Sequence, residues 1–183
     1  MRMKKRGFSL PEMIAVIAII AILLAIGIPN YIASVRREEV RSVANFLADA
    51  IIQLYDLEDK KQDYNTYFLK IVDVVNTATS QRELTISLIK YQSASETVIK
   101  ERTSKVAELD SSVIVTGIGS VATYLYFDKE GRLCRFSGSP GLRSNQATYY
   151  TEQQITVKVR GGSGGYQKRV IIKPVPAGSV EVK

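Results

Sequence analysis

The chain has 183 residues, of which 45% are hydrophobic and 23% charged, a composition that allows one folded domain in addition to a membrane segment. It contains no histidine and a single cysteine, Cys134, which excludes imidazole catalysis, histidine metal ligands and an intramolecular disulfide. The formal net charge of +7 includes four basic residues that precede residue 7, and without them 21 basic and 18 acidic side chains remain. The composition and motifs predict no enzyme, no catalytic residues, no metal site and no cofactor.

The first predicted element is a membrane-spanning helix that begins near Phe8. Residues 8–28 carry one formal charge, Glu12, and their number is close to the ~20 helical residues that cross about 30 Å of hydrocarbon. The basic residues on the N-terminal side of this run are Arg2, Lys4, Lys5 and Arg6. Because positive charge is retained on the cytoplasmic side, we expect a single pass with the N-terminus inside and the C-terminal domain outside.

The residues at the start of the apolar run are Arg6-Gly7-Phe8-Ser9-Leu10-Pro11-Glu12-Met13. They resemble the class III signal of type IV pilins and type II secretion pseudopilins, whose usual form is Gly-Phe-Thr-Leu-Ile-Glu. The resemblance implies that a prepilin peptidase cleaves between Gly7 and Phe8, removes residues 1–7 as a leader and methylates the Phe8 amine. It also places Glu12 at the fifth mature position and Pro29 at the twenty-second, where this family typically has Glu and Pro.

The position of Glu12 within the apolar run predicts a role in assembly. A lone carboxylate in a membrane helix costs roughly 2.5–3.5 kcal/mol on insertion scales and normally marks a pairing partner, which weighs against a plain signal anchor. The resemblance implies pairing with the Phe8 amine of a neighbouring subunit or of the same subunit, and the sequence leaves both open. Pro11 departs from the usual branched apolar residue, but a helix tolerates proline in its first turn.

The anchor, residues 8–29, is predicted to continue as the amphipathic second half of a stem helix, residues 30–57. Gly27 and Pro29 predict a helix break at the membrane exit, either a hinge that curves the stem in a filament or a kink without an assembly role. The apolar residues that recur at three- and four-residue spacing are Ile32, Val35, Val40, Val43, Phe46, Leu47, Ala50, Ile51 and Leu54. This pattern predicts that one face of the stem carries a packed domain.

Residues 58–110 form a variable segment in which residues 67–75 fit either a helix or a strand. Two helical elements are the favoured prediction, partly from the spacing of Leu84 and Leu88. From residue 111 to residue 183 the pattern changes, because short stretches rich in β-branched and aromatic residues alternate with turn signals. The predicted strands are Val113–Val115, Val121–Phe127, Arg132–Phe136, Tyr149–Arg160, Lys168–Lys173 and Val180–Val182. Cys134 is expected to lie in one of them as a small hydrophobic residue.

The predicted fold class is α+β. A long N-terminal helical stem, membrane-spanning in its first half, packs against an antiparallel β-sheet C-terminal domain in a pilin-like arrangement. The order of the parts is similar to that of minor pilins and pseudopilins, whose β-domains cap or initiate filaments. Residues 127–132 and 178–182 carry this second, looser resemblance.

The resemblance implies a structural subunit, a minor pilin or pseudopilin, of a type IV pilus-like filament or a type II secretion pseudopilus. The implied partners are other pilin or pseudopilin subunits, prepilin peptidase, the inner-membrane assembly platform and the membrane itself. The implied location is the bacterial inner membrane, followed by a periplasmic pseudopilus or a cell-surface pilus.

A DNA-binding minor pilin of a competence or DNA-uptake pilus is the alternative function. Residues 128–183 hold 10 basic and 4 acidic side chains. Lys158 and Arg160 are expected to face Lys168 across a glycine loop, with Arg169 beside it, and such a group could contact phosphates. A solvated polar sheet face is the favoured interpretation of the same residues, so nucleic acid is a less favoured partner.

Overall fold

The computed structural model describes residues 10–61, 66–76, 81–111, 122–138, 140, 144–161, 165–173 and 179–183. In chain order the elements are α1 (Leu10–Lys61), β1 (Tyr67–Asn76), β2 (Gln81–Gln92), β3 (Ser95–Ser104), β4 (Ala107–Asp110), β5 (Thr123–Phe127), β6 (Leu133–Ser137), β7 (Ser144–Thr148), β8 (Gln153–Val159), β9 (Gln167–Lys173) and β10 (Ser179–Val182). The chain divides into two units, Met1–Val35 and Arg36–Lys183, and α1 contributes residues to both.

The stem is one helix of 52 residues, as its sequence pattern predicts. Pro11 lies in the first turn, where the missing N–H would have no partner within the helix. The helix ends at Lys61, four residues beyond the predicted end at about Leu57. Lys60 in the last turn favours this longer helix because a cation stabilises the negative end of the helix dipole.

The second half of α1 supplies the helical part of the core. Its buried apolar residues are Val40, Val43, Ala44, Leu47, Ala48, Ala50, Ile51 and Leu54. The predicted apolar face is therefore confirmed from Val40 onward. Ile32 and Val35 were assigned to the same face and are 44% and 49% exposed, because they lie in the first unit, before the helix enters the packed domain.

Two antiparallel sheets complete the second unit, so the α+β class is confirmed with two sheets in place of one. The larger sheet has six strands in the order β3-β2-β1-β5-β6-β7, and the smaller has four in the order β10-β9-β8-β4. The helix and both sheets contribute to the main core, in which Leu47, Leu69 and Val157 are fully buried. The larger sheet thus combines strands from before and after residues 112–121.

The helical prediction for residues 58–110 is wrong over β1 to β4. Leu84, Ile86 and Leu88 alternate on one face of β2 and are at most 1% exposed. The four-residue spacing of Leu84 and Leu88 suits one face of a helix, but it is also twice the two-residue repeat of a strand. The intervening Ile86 distinguishes the two, since a helix would turn it away from the buried face.

Of the predicted C-terminal strands, five are confirmed within a few residues as β5, β6, β8, β9 and β10. Val113–Val115 lies outside the described residues. Strand β7 was not predicted, because its sequence is polar and it pairs only with β6 among the described strands, at an edge of the sheet. Cys134 lies buried in β6, as expected, with its sulfur 3.4 Å from the Thr148 hydroxyl oxygen. Burial raises the pKa of its thiol.

Candidate functional site: the N-terminal assembly segment

The first half of α1 is apolar at most positions and uncovered. All side chains from residue 10 to residue 32 are exposed, and the apolar ones include Ile17, Leu23 and Ile26 at 62–64%. At ~1.5 Å per residue, the helix from Leu10 to Ile28 is about 27 Å long, close to the ~30 Å of a bilayer core. Within the described residues this is the one helix long and apolar enough to cross a membrane. Its length and composition fit membrane anchoring.

Glu12 lies in the first turn of this helix, and its side chain is exposed. A carboxylate at this place interacts favourably with the partial positive charge at the helix N-terminus. Gly7 and Phe8, the predicted cleavage and methylation residues, lie outside the described residues. The structure therefore places Glu12 near the start of the apolar run and leaves its pairing with the Phe8 amine as a prediction.

The helix is continuous through Gly27 and Pro29, so the structure has no break at either residue. Proline removes one backbone donor, but the hydrogen bonds on either side suffice to maintain the helix. Next to it, the Asn30 side-chain amide donates to the Ile26 carbonyl at 3.1 Å, adding a bond to this turn. A Cβ at Gly27 would meet no atom within 4 Å. A hinge at these residues in an assembled filament stays a prediction.

Residues 2–28 match the family model for the prokaryotic N-terminal methylation motif. The chain carries the class III signal of type IV pilins. The motif is followed by a long apolar helix, which is the arrangement expected of a pilin-like or pseudopilin precursor, and it indicates a structural subunit rather than an enzyme family. It also implies processing by prepilin peptidase and assembly with other pilin subunits. Comparisons with characterised proteins and with solved structures gave no significant match.

The basic residues predicted as a DNA contact are partly engaged within the domain. The Lys158 amine lies 3.2 Å from Asp110 and 3.6 Å from Glu108, both on the neighbouring strand β4. The hydrogen bond to Asp110 and its negative charge raise the pKa of Lys158. Lys158 thus has two carboxylates as near neighbours. They neutralise the positive charge with which its amine would bind a phosphate.

Arg160 connects the two sheets. Its Nη2 donates to Asp73 Oδ1 at 3.0 Å, on β1 of the larger sheet, and to the Ala107 carbonyl at 2.9 Å, on β4 of the smaller sheet. The Asp73 side chain is 7% exposed and also accepts from Arg82 Nε at 3.1 Å. Arg160 therefore has a structural role that its sequence position did not reveal.

The remaining two basic residues, Lys168 and Arg169, lie on opposite faces of the smaller sheet, as the register of β8 and β9 shows. Lys168 lies opposite the buried Val157, whereas Arg169 lies opposite Thr156 on the other face of the sheet. Gln167, not Lys168, is the cross-strand neighbour of Lys158, so the expected facing arrangement is wrong. The four basic residues do not form one surface, because Lys168 lies on the face of the buried Val157, whereas Arg169, opposite Thr156, shares the face of Lys158.

Two further side chains have roles that the sequence interpretation missed. Glu58 is fully buried, and its Oε2 accepts a hydrogen bond from the Phe127 amide at 2.9 Å, which joins the end of α1 to the end of β5. Glu39 on α1 accepts from Arg102 Nη2 at 3.1 Å on β3. Glu58 could have been recognised, since it follows Leu54 by four residues and so continues the buried stripe. Within the described residues no group of three or more acidic or cysteine side chains could hold a metal ion.

Proposed function

We propose that the chain is a structural subunit of a pilus-like filament, a minor pilin or a pseudopilin, processed by prepilin peptidase and assembled through its N-terminal helix. The observation that carries this proposal is the methylation motif at residues 2–28, joined to an apolar helix with no covered side chain from residue 10 to residue 32. A helix with no polar face cannot stay in water. It requires a bilayer or the helices of other subunits.

The proposed mechanism begins with hydrolysis of the Gly7–Phe8 peptide bond on the cytoplasmic side. Water adds across this bond, which leaves a carboxylate on Gly7 and an amine on Phe8. The amine nitrogen then takes a methyl group from a sulfonium-type methyl donor, whose carbon–sulfur bond breaks as the nitrogen–carbon bond forms, and the secondary amine is protonated at neutral pH. The new cation at Phe8 and the carboxylate of Glu12 on a neighbouring subunit attract each other in a low-dielectric setting, where unpaired charges are costly. Pairing of this kind favours addition of one subunit to the next.

The membrane arrangement follows from the same segment. The four basic residues before Gly7 favour a cytoplasmic N-terminus, so the unit Arg36–Lys183 is exported and α1 crosses the inner membrane once. After processing, the subunit would move from the membrane into a periplasmic pseudopilus or a surface pilus. The proposed partners are other pilin-like subunits and an inner-membrane assembly platform.

The processing step is tested by coexpression with a prepilin peptidase and intact-mass measurement. The expected product lacks residues 1–7 and carries one methyl group on Phe8. Gly7→Leu should block cleavage, since the branched side chain occupies the cleavage position. Gly165→Leu is the matched control, because a Cβ at this exposed glycine meets no atom within 4 Å. Cleavage of the Gly7→Leu chain at the wild-type rate would contradict the assignment.

The assembly step is tested by the fraction of subunits recovered in sheared filaments. Glu12→Ala should leave cleavage unchanged and abolish incorporation, because the partner of the Phe8 amine is lost. Glu38→Ala is the control, since Glu38 is also exposed on α1 but lies outside the apolar run. Wild-type incorporation of the Glu12→Ala chain would rule out the pairing role.

A nucleic-acid function is not proposed. Lys158 and Arg160 are held by carboxylates of the same domain, and Lys168 and Arg169 lie on different faces of their sheet. A gel shift at low salt with the four residues neutralised tests this conclusion. DNA binding that is lost on their neutralisation would reverse it.

A further inference from the structure

Pro11 lies four residues after Gly7, whose carbonyl belongs to the proposed cleavage bond. In an α-helix each backbone N–H donates to the carbonyl four residues earlier, so the helical donor to the Gly7 carbonyl is the N–H of residue 11. Proline has no N–H, and its ring collides with a carbonyl at that place. The acceptor that Pro11 excludes from the helix is therefore the scissile carbonyl itself.

The surroundings of Pro11 make this exclusion matter. α1 begins at Leu10, one residue before Pro11, and the Leu10 side chain is 75% exposed at the start of the apolar run. In an apolar medium, unpaired backbone groups are costly, which favours extension of a helix until each donor has an acceptor. A residue with an N–H at position 11 would satisfy it by drawing the Gly7 carbonyl into the first turn.

A scissile carbonyl in a helical turn is unfavourable for hydrolysis. Proteolysis requires the backbone to open locally, and its rate follows the population of the open form. As water adds to the carbonyl carbon, negative charge develops on the oxygen, and donors of the enzyme have to reach that oxygen. A helical N–H on the same oxygen would compete with them.

We propose that Pro11 is a positioning residue for the processing step, which keeps the Gly7–Phe8 bond out of the helix and its carbonyl accessible to the peptidase. The branched apolar residue that is usual at this position has the N–H that Pro11 lacks. The inference rests on the proposed function, since it concerns the efficiency of the cleavage proposed there.

Pro29, the other proline of α1, provides an internal comparison. Its missing N–H would have bonded to the Ala25 carbonyl, and the helix continues through this turn because the hydrogen bonds before and after it remain. At Pro11, α1 has no earlier turn that could hold the Gly7 carbonyl in place. The same residue type thus leaves the helix intact at one position and limits its extension at the other.

The test is cleavage of the full chain in detergent micelles by a prepilin peptidase, with KM and kcat measured separately. Pro11→Ala restores the N–H in a residue that favours helix. KM should rise roughly two- to tenfold, the values for a segment that is helical for about half to nine tenths of the time. The kcat should stay unchanged, because the open segment is cleaved as in the wild type once it is bound.

Pro11→Gly distinguishes the hydrogen bond from the loss of the proline ring. It also supplies an N–H, but glycine is a much poorer helix former than alanine, so the rise in KM should be smaller. Pro29→Ala is the matched control and should leave both constants at their wild-type values, because the Ala25 carbonyl is remote from the cleaved bond.

The hydrogen bond itself can be observed in the uncleaved chain by NMR. Gly7-Phe8 is the one Gly-Phe pair in the sequence, so ¹³C in the glycine carbonyls and ¹⁵N in the phenylalanines select this peptide bond. The Gly7 carbonyl resonance should move downfield in Pro11→Ala, as it accepts the new N–H, and move less in Pro11→Gly. Pro29→Ala should not move it.

Two results would overturn the inference. One is an unchanged KM for Pro11→Ala, whatever happens to kcat. The other is a rise for Pro11→Gly as large as that for Pro11→Ala with a stationary Gly7 resonance, which would show that the peptidase contacts the proline ring. A wild-type chain that is cleaved after Gly7 keeps the proposed function in either case. A wild-type chain that is not cleaved there loses both the function and the inference.

Discussion

The two halves of α1 have the same backbone conformation and opposite surroundings. From residue 10 to residue 32 every side chain is exposed, although most are apolar. From Val40 to Leu54 one face is fully buried and the other is polar and exposed. A helix that is apolar on all sides has to be covered by lipid or by other helices, whereas a helix with one apolar stripe can be covered by its own domain. The difference identifies which half depends on partners and which is stable within the subunit.

The largest expected effect is a difference in stability between the same Leu→Ala substitution made in the second and in the first half of α1. Leu47→Ala should lower the free energy of unfolding of the second unit by about 2–5 kcal/mol, because Leu47 is fully buried in its core. Leu23→Ala should leave that quantity unchanged, since Leu23 is 64% exposed in the first unit. Denaturant unfolding in detergent, followed by labelling of the buried Cys134, measures both. Equal losses would contradict the comparison.

The next largest expected effect is a loss of stability on substitution of Glu58, near the C-terminal end of α1. Glu58→Ala should cost about 1–3 kcal/mol of unfolding free energy, because the buried Phe127 amide loses its acceptor. Glu58→Gln should cost less, since its amide oxygen can accept the same hydrogen bond. Asp59→Ala is the control at an exposed neighbouring acid. A similar loss for Asp59→Ala would show that the helix end responds to charge rather than to this bond.

The sheets provide a smaller effect that extends the comparison to charged residues. Arg160→Gln should destabilise the second unit by about 1–2 kcal/mol, because Asp73 is nearly buried and keeps only its bond to Arg82 among the described contacts. Arg169→Gln, at an exposed position on β9, should change stability by less than about 0.5 kcal/mol. Thermal or denaturant unfolding distinguishes them. Equal effects would show that the link between the sheets contributes nothing measurable.

The smallest expected effect lies on the outward face of the packed half. Lys60→Ala removes a 3.4 Å contact with Asp56 in which both side chains are more than half exposed. Screening and side-chain entropy limit such pairs, so the loss should stay below about 0.5 kcal/mol. The same unfolding measurement applies. A loss above about 1 kcal/mol would mean that the outward face stabilises the isolated subunit.

The stem helix was predicted more accurately than the strands before residue 111. The stem gave a clear signal, since a long apolar run and a repeated three- and four-residue spacing are local features. In β2 the same kind of spacing was misleading, because Leu84 and Leu88 fit both periods. The sequence of β7 is polar and has no alternating pattern that predicts a strand. Its strand conformation depends on backbone pairing with β6.

The candidate site shows a similar division. The residues assigned to processing and assembly, Gly7, Phe8 and Glu12, were predicted from a continuous stretch of sequence that lies within the family match to residues 2–28, and their individual roles stay predictions. The basic residues 158–169 were grouped by their proximity in sequence. Strand alternation places Lys168 on the other face of the sheet, and carboxylates on β4 and β1 engage Lys158 and Arg160; neither feature can be seen without the tertiary structure.

The sequence by itself determined the processing motif, the membrane-length helix and the face of the stem that carries a domain, because each depends on residues close together in the chain. The tertiary structure alone decided the two-sheet arrangement, the hydrogen bond from the Phe127 amide to Glu58 and the link from Arg160 to Asp73. These depend on which strands pair and on side-chain contacts between the sheets, and the hydrogen bond from Arg160 to Asp73 joins residues 87 positions apart. Local periodicity carries no information about such partners.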